Sequence, residues 1–236
     1  MTDHMNRRRF VESAGIATAA PVAVVGLATN AAAQGAASAY TPMPLPPTAI
    51  HATGISEKLT QSHYDNNYVG AVKRLNAIGA QLAALDWATA PNFMINGLKR
   101  EELVAANSML LHEHFFNVLG GSGEPGGALA DAIKRDFGSI ARWRAEFSAM
   151  GKAEGGGSGW VILSYSPRDK RLMNTWAADH TMNLAGGRPV LVLDMYEHAY
   201  HMDYGAKAAA YVDAYMQGIR WDHPAEMFDR YARERA

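Results

Sequence analysis

The stretch Val190-Leu191-Val192-Leu193-Asp194-Met195-Tyr196-Glu197-His198-Ala199-Tyr200 decides how the rest of this sequence is interpreted. Its four leading apolar residues predict a buried strand, which delivers Asp194 and, four positions later, His198. A buried carboxylate is costly unless it is paired or bound to a metal ion. A carboxylate oxygen and an imidazole nitrogen together suit a first-row transition metal. The same spacing also fits an aspartate that caps a helix carrying a surface histidine. Other parts of the sequence are needed to distinguish a metal site from such a cap.

Composition limits the kinds of protein and of site. The chain has 236 residues, 48% of them hydrophobic, and a formal net charge of -1. These values are typical of a globular protein and give no general attraction to nucleic acid, so no nucleic-acid partner is expected. The sequence contains no cysteine. Disulfides and thiolate metal sites are therefore excluded, and any metal must be held by His, Asp, Glu or Asn.

The N-terminus predicts export by the twin-arginine route. Asn6-Arg7-Arg8-Arg9-Phe10-Val11 is a twin-arginine pattern, and an apolar segment over residues 14–28 leads to Ala31-Ala32-Ala33. A basic head, a short apolar middle and small residues at the exit are typical of a cleaved signal. We expect a signal peptide over 1–33, an extended lead-in over 34–50, a periplasmic or secreted location and no membrane association after cleavage. An ordinary helix or a membrane anchor is the alternative.

Two long helices are predicted after this lead-in. Ser56 is a suitable N-cap for a helix over residues 57–85, whose apolar and aromatic residues recur at spacings of four and three. This seam, beside which His63 lies, consists of Tyr64, Tyr68, Val72, Leu75, Gly79 and Leu82. A second helix, predicted over 99–119, has a stripe made of Leu103, Asn107, Leu111, His114 and Val118. His63 and His114 would then form half of a metal site, with His112 facing away; two unrelated core histidines are the alternative.

In the second half of the chain, the spacing of apolar residues changes from a helical period to one typical of strands. The glycine-rich run 120–127 predicts a boundary between a helical hairpin domain (51–122) and an α/β C-terminal domain (123–236). Short helices are expected next, followed by strands over about 160–166, over 171–176 and before Asp194, and then by closing helices. The predicted fold class is α+β: an N-terminal antiparallel helical hairpin plus a C-terminal three-stranded antiparallel sheet flanked by helices.

With these pieces in order, the sequence resembles the iron/manganese superoxide dismutase family over about residues 45–230. The strongest motif is 194–200, which is similar to the family's D-x-W-E-H-A-Y with Tyr196 in place of Trp. The supporting motifs are Ile55-Ser56 before His63-Tyr64, Asn107 seven residues before His114, Gly123-Glu124-Pro125, Phe137-Gly138-Ser139 and Gly157-Ser158-Gly159-Trp160.

The resemblance implies a metal centre and a reaction. One iron or manganese ion per subunit would be held by His63, His114, Asp194 and His198. Superoxide would be the substrate, and two superoxide anions would become dioxygen and hydrogen peroxide. In the family a Gln usually hydrogen-bonds the metal-bound solvent. Leu110 stands at its second-helix position, so His180, in the loop before the Asp194 strand, is expected in that role.

Further expectations concern the surroundings of the metal. The family's gateway tyrosine falls on Ala71, and a histidine usually found beside the ligands falls on Asn67. We expect Tyr64 or Tyr68 to fill part of this space as catalytic residues. Lys207 is the candidate for steering the anionic substrate.

The resemblance also implies an oligomer. Glu197 would hydrogen-bond the partner's His198, with Tyr200 at the same interface, and Trp160 and Tyr196 would pack beside the ligands. We expect a homodimer or a dimer of dimers. The alternative for Glu197 is a first-turn helix residue favoured by the helix dipole.

Three functions remain open on these grounds. The first is a superoxide dismutase that uses iron or manganese. The second is a metal-binding relative that has lost turnover and serves as a binding protein, suggested by the altered solvent partner and the missing gateway tyrosine. The third is another reaction at a histidine and carboxylate centre, such as that of a dioxygen-using iron enzyme or a hydrolase. The choice between iron and manganese depends on the geometry around the ligands, not on ligand identity.

Overall fold

The N-terminal half is an antiparallel helical hairpin, as predicted. The structure is a computed structural model that describes residues 39–155 and 157–233, so the predicted signal peptide lies outside the described residues. Ser56 caps the first long helix by accepting a hydrogen bond from Leu59 N at 3.2 Å. The elements of this half are α1 (Pro47–Ile50), α2 (Glu57–Ser62), a π-helical segment (His63–Tyr68), α3 (Val69–Ala83) and α4 (Asn92–Asn117).

The buried face of α4 differs from the predicted stripe. The helix begins at Asn92, seven residues earlier than predicted, and Leu103 is exposed. Its buried residues are Ala105, Ser108, Met109, Leu111, His112, Phe115 and Phe116. The adjacent rings of Phe115 and Phe116 are the largest buried apolar groups on this helix, and they lie on the face that turns inward. His112 lies on that face.

The C-terminal half contains a three-stranded antiparallel sheet with the order β2-β1-β3. The central strand is buried along its whole length, and a register shift between Leu163 and Ser164 interrupts its pairing with β3. Trp160 pairs with Asp194, so the start of β1 and the end of β3 meet. The elements of this half are α5 (Gly127–Phe137), α6 (Ile140–Glu154), β1 (Trp160–Ser166), β2 (Arg171–Ala177), β3 (Arg188–Asp194), a 3₁₀ turn (Glu197–Ala199), α7 (His201–Tyr204), α8 (Ala208–Gln217) and α9 (Asp222–Arg233).

The two halves are joined where the chain leaves α4. Gly121 N donates to Gly218 O at 2.9 Å, and Arg220 N donates to Val118 O at 2.8 Å. A Cβ atom on Gly120, whose φ is +81°, would lie 1.9 Å from Thr48 O, and one on Gly121 would lie 2.3 Å from Arg220 Cα. Only glycine permits this approach of main chains. The beginning of the predicted boundary is therefore fixed by packing.

The described residues include a lead-in and no membrane-spanning helix. Residues 39–46 have no regular secondary structure and lie along the hairpin, where Tyr40 N donates to Asn76 Oδ1 at 2.8 Å and Asn76 Nδ2 donates to Tyr40 O at 2.9 Å. Within 39–155 and 157–233, no helix is both long and apolar enough to cross a bilayer.

Candidate metal centre

Four side chains from both halves of the molecule converge at one buried point. They are His63, His112, Asp194 and His198, whose potential ligand atoms all lie within 4.8 Å of one another. The Nε2 atoms of His63, His198 and His112 lie 3.2, 3.3 and 3.6 Å from Asp194 Oδ2. Three imidazoles and one carboxylate form a donor set suited to iron or manganese.

The backbone around β3 fixes the orientation of Asp194. Its Oδ1 accepts a hydrogen bond from Tyr196 N at 2.8 Å, which leaves Oδ2 for the histidines. Its carbonyl oxygen accepts from Tyr211 Oη at 2.9 Å. The short turn Glu197–Ala199 then brings His198 back to the same carboxylate. The strand end thus supplies two of the predicted ligands in a few residues of chain.

His63 reaches the centre from the π-helical segment at the middle of the first long helix. A π turn inserts an extra residue into a helix and is frequent at functional sites. The side chain is fully buried and lies among the rings of Phe115, Phe116, His112 and His198. The prediction that His63 lies on the inner side of the first helix agrees with this position.

His112, not His114, is the residue of the second helix that joins this cluster. Successive residues rotate by about 100° around an α-helix, so residues two apart point in nearly opposite directions. His114 Nδ1 instead lies 3.0 Å from His223 Nε2 of α9, and burial lowers the pKa of His114 to about 3. The assignment of His114 was therefore wrong. The position four residues before the ligand is accordingly Ser108 rather than Leu110, which is exposed.

The ring nitrogens at this point fit a bound cation. His112 Nδ1 lies 2.6 Å from Ser108 O, which places the proton on Nδ1 and directs the Nε2 lone pair inward. His112 Nε2 and both ring nitrogens of His63 are buried and make no well-aligned hydrogen bond with another described residue, although His63 Nε2 lies near Asp194 Oδ2. Buried polar atoms without partners are costly and uncommon. A metal ion that accepts the Nε2 lone pairs of His63 and His112 would remove much of that cost, so the residues fit an iron or manganese ion.

The protonation states also suit a ligand set. Burial lowers the pKa of His63, and it lowers the pKa of His112 well below the ordinary value. Burial opposes ionisation of Asp194, but the charge and hydrogen bond of His198, together with His63, outweigh burial and lower its pKa. The pKa shifts therefore favour neutral rings at His63 and His112 beside an ionised Asp194, the forms that bind metal.

His180 lies next to this centre, as expected for a residue that contacts solvent or substrate there. Trp160 Nε1 donates to His180 Nδ1 at 3.0 Å, and Asn107 Nδ2 donates to His180 O. With Nδ1 accepting, the neutral ring carries its proton on Nε2. Its ring stacks on Tyr196, with centroids 4.7 Å apart, and lies 6.2 Å from the ring of His112.

Tyr64 and Tyr68 do not line the approach to the centre. Tyr64 Oη donates to Met43 O at 2.6 Å. Tyr68 Oη donates to Glu113 Oε1 at 3.0 Å and accepts from Met43 N at 2.6 Å. Both hydroxyls are therefore occupied by the lead-in and by α4. The structure does not support the expectation that one of them fills part of the space near the ligands as a catalytic residue, because these contacts direct the two hydroxyls to the lead-in side of the hairpin.

A cavity of about 330 Å³ opens between the π-helical segment, α3 and α4 and leads to His112, His180 and His198. Ala71 and Asn67 line it, so the position of the missing gateway tyrosine lies on the route to the centre. Lys207 is exposed at the start of α8 and is not among the residues that line this cavity. The structure therefore does not place Lys207 on the route that it was expected to serve.

The remaining predicted residues surround the strand end. Trp160 packs edge-on against His112, with centroids 5.3 Å apart, and Tyr196 stacks on His198 at 5.2 Å. Tyr200 is buried and stacks on Tyr211. Glu197 is exposed.

Comparisons with known proteins point in the same direction. The family model described as iron/manganese superoxide dismutases, C-terminal domain, matches residues 125–227. The chain is 69% identical over 182 residues to "Superoxide dismutase [Fe]" of Cupriavidus metallidurans, which covers 77% of this chain and 92% of that protein. It is 35% identical over 181 residues to "Superoxide dismutase [Mn] 1" of Halobacterium salinarum, covering 75% of this chain and 88% of the relative. It is also 35% identical over 185 residues to "Superoxide dismutase [Fe]" of Aquifex pyrophilus, covering 75% and 85%.

Proposed function

The chain belongs to the iron/manganese superoxide dismutase family, and on this premise we propose that it converts superoxide to dioxygen and hydrogen peroxide. Two superoxide anions and two protons give one dioxygen and one hydrogen peroxide. The observation that carries the proposal is the convergence of three imidazole Nε2 atoms on Asp194 Oδ2 at the end of an open cavity.

The residues that would hold the ion are those of the buried cluster, His63, His112, Asp194 and His198. When bound, the ion supplies one-electron redox chemistry, so that one superoxide is oxidised and a second is reduced. The three neutral imidazoles and one carboxylate contribute a single negative charge, which leaves two oxidation states accessible. We propose iron as the resident metal, because the relative with 69% identity is named for iron.

The reaction also consumes protons, so a hydrogen-bond donor beside the metal centre is required. We infer that His180 Nε2–H donates a hydrogen bond to solvent or superoxide in the cavity, since His180 Nδ1 already accepts a hydrogen bond from Trp160. Burial lowers the pKa of His180, so this proton remains part of a neutral ring at physiological pH. Tyr196 and Trp160 hold that ring in place by stacking and by hydrogen bonding.

Metal analysis paired with activity tests the proposed function. The purified protein is analysed for metal, stripped, and reloaded separately with iron and with manganese. Rapid loss of superoxide with one peroxide formed per two superoxide anions is the expected result with iron. Bound metal without turnover in either form would contradict the proposal and favour a metal-binding relative. Higher turnover with manganese than with iron would contradict the choice of metal alone.

We further propose export by the twin-arginine route to the periplasm or beyond. The pattern Arg7-Arg8 and the apolar segment after it support this. Cleavage after Ala33 would also leave intact every described contact of the lead-in, the first of which involves Tyr40. Replacing Arg7 and Arg8 with lysine should retain the protein in the cytoplasm, whereas Arg9→Lys should not. Export of the double variant at the normal level would refute this route.

We also propose a homodimer in which Glu197 contacts the partner's His198. Glu197 is exposed one residue before a ligand whose side chain is 25% exposed, so an interface here would reach the metal centre. Glu197→Ala should shift the mass measured by light scattering toward the monomer. A monomeric wild-type protein would refute the proposal.

A further inference from the structure

The cavity that leads to the metal centre has an uneven distribution of charge. Apart from the histidines at its inner end, Arg74 is the only ionisable residue among the described residues that line it. Arg74 lies on α3, three residues after Ala71, and its side chain is 57% exposed. A guanidinium stays charged at every pH in which the protein is folded.

Arg74 belongs to a small cluster of charges between α3 and α4. Its guanidinium pairs with Glu101, and Arg100 Nη1 lies 3.1 Å from the other oxygen of the same carboxylate. Two arginines thus share one glutamate, which leaves a net charge of +1. Asp179 adds a negative charge in the neighbouring loop, where its Oδ1 accepts from Thr181 N and Oγ1.

Arg74 is one of several charges that act on His180 at the inner end of the cavity. Burial is the main cause that lowers the pKa of His180; Asp194 and Asp179 raise that pKa, whereas His198 and, more weakly, Arg74 lower it. A charge that disfavours a cation at His180 favours an anion at the same place. Lys207 has no comparable position, since it does not line the cavity.

We propose that Arg74 steers superoxide into the cavity and that Glu101 limits how strongly it does so. This inference rests on the proposed function. Superoxide is a small anion, and a field of opposite sign along its route raises the rate at which it reaches the centre. Because Arg74 is half exposed, the effect is screened by salt and is moderate. A single half-exposed charge beside the route should change the encounter rate by about two- to fourfold.

Paired substitutions in the metal-loaded protein test this inference. At low ionic strength, Arg74→Gln should lower kcat/KM for superoxide about two- to fourfold, and Glu101→Gln should raise it about twofold. Both differences should shrink as salt is added, and Arg74→Lys should retain most of the wild-type value. The Kd for azide, a small anion measured by absorbance titration, should rise in Arg74→Gln and fall in Glu101→Gln. Thermal unfolding identifies any variant that is not folded.

Matched control variants distinguish the effect of a charge beside the cavity from the effect of the protein's total charge. Arg168→Gln, at the β1–β2 turn with a side chain that is 93% exposed, removes the same charge outside the cavity. Asp131→Asn, 80% exposed on α5, matches Glu101→Gln. Neither control should change kcat/KM or the Kd for azide. Equal effects of Arg74→Gln and Arg168→Gln, or a larger effect of Lys207→Gln, would overturn the inference. Wild-type protein that binds azide but has no turnover would refute the proposed function, while the azide Kd values would still decide the role of Arg74.

Discussion

The two halves of the metal centre are built differently. On the sheet side, Asp194 is held by hydrogen bonds to both its side chain and its carbonyl oxygen before any ion is considered. On the hairpin side, neither ring nitrogen of His63 has a hydrogen-bond partner among the described residues, and His112 is held only through Nδ1. The sheet half is preorganised, whereas the hairpin half depends on the ion to satisfy its nitrogens. Metal loss should therefore affect the hairpin first.

The largest expected effect comes from removing the preorganised ligand. Asp194→Ala deletes the single carboxylate of the set and leaves three neutral imidazoles around an uncompensated cation. We expect metal affinity to fall by more than about 100-fold, which exceeds the usual loss from a residue outside the ligand set. Equilibrium dialysis with iron measures this. Asp194→Asn, which keeps the shape but not the charge, should also lose metal; retention of full affinity would contradict the assignment.

Substitutions at two nearby histidines of α4 compare the corrected ligand with its neighbour. His112→Ala should lose most bound metal, because it removes one of the converging Nε2 atoms. His114→Ala should keep the metal within about twofold and change only stability, since its partner is His223. Metal content after purification distinguishes the two. Loss of metal in His114→Ala with retention in His112→Ala would reverse the correction.

His180 should affect turnover without affecting metal content. Its ring is held by Trp160 and Tyr196, on the sheet side, and is not part of the cluster. His180→Ala should leave the metal bound and cut kcat by about 100-fold or more, as expected when a positioned proton donor is lost. His180→Gln retains a donor and should recover part of the loss. Unchanged turnover in His180→Ala would mean that another residue has this role.

The smallest expected effect concerns a buried carboxylate behind the sheet half. Burial raises the pKa of Glu154, at the end of α6, to about 8, and Ala177 only partly offsets this. The folded state therefore holds a proton that the unfolded chain releases. The contribution of Glu154 to the free energy of unfolding should fall as pH rises from about 4.5 to about 8, and then level off.

Glu154→Gln should remove the fall in the free energy of unfolding that Glu154 causes as the pH rises. Near pH 8 its Tm should exceed the wild-type Tm by about 2–5 °C, and the difference should vanish near pH 4. The exposed Asp131→Asn changes the net charge equally and serves as the control. A difference in Tm that does not depend on pH would contradict the assigned pKa.

The same contrast between the halves explains which parts of the centre could be predicted from the sequence. Asp194 and His198 follow a strand directly, so a few residues of continuous motif determine both positions. His112 depends on the rotation of a 26-residue helix, where one residue corresponds to about 100°. The predicted stripe through Leu103 and His114 ignored the adjacent rings Phe115 and Phe116, which decide the buried face. That pair of aromatic residues was the signal that could have identified His112.

Other parts of the site depend on contacts between distant segments and could not be predicted. The tyrosines Tyr64 and Tyr68 were expected near the substrate. Their hydroxyls instead form hydrogen bonds with the main chain of Met43, more than twenty residues earlier. Arg74 was missed because its proposed role depends on which face of α3 lines the cavity. A charged residue on a helix usually faces solvent. The α+β fold itself was predictable, since helical and alternating periods occupy separate halves of the chain.

The close contact of Gly120 and Gly121 with Thr48 and Arg220 has a consequence for how this molecule can be altered. Main chains that meet without room for a single Cβ leave little slack between the end of α4 and the segments that hold Thr48 and Arg220. The position of α4, which carries His112, relative to the C-terminal half is thus constrained by this main-chain contact as well as by the ion. An insertion at Gly126, where an added Cβ would meet no atom within 4 Å, should be tolerated, whereas even an alanine at residue 121 should disturb an ion that binds in a different part of the molecule.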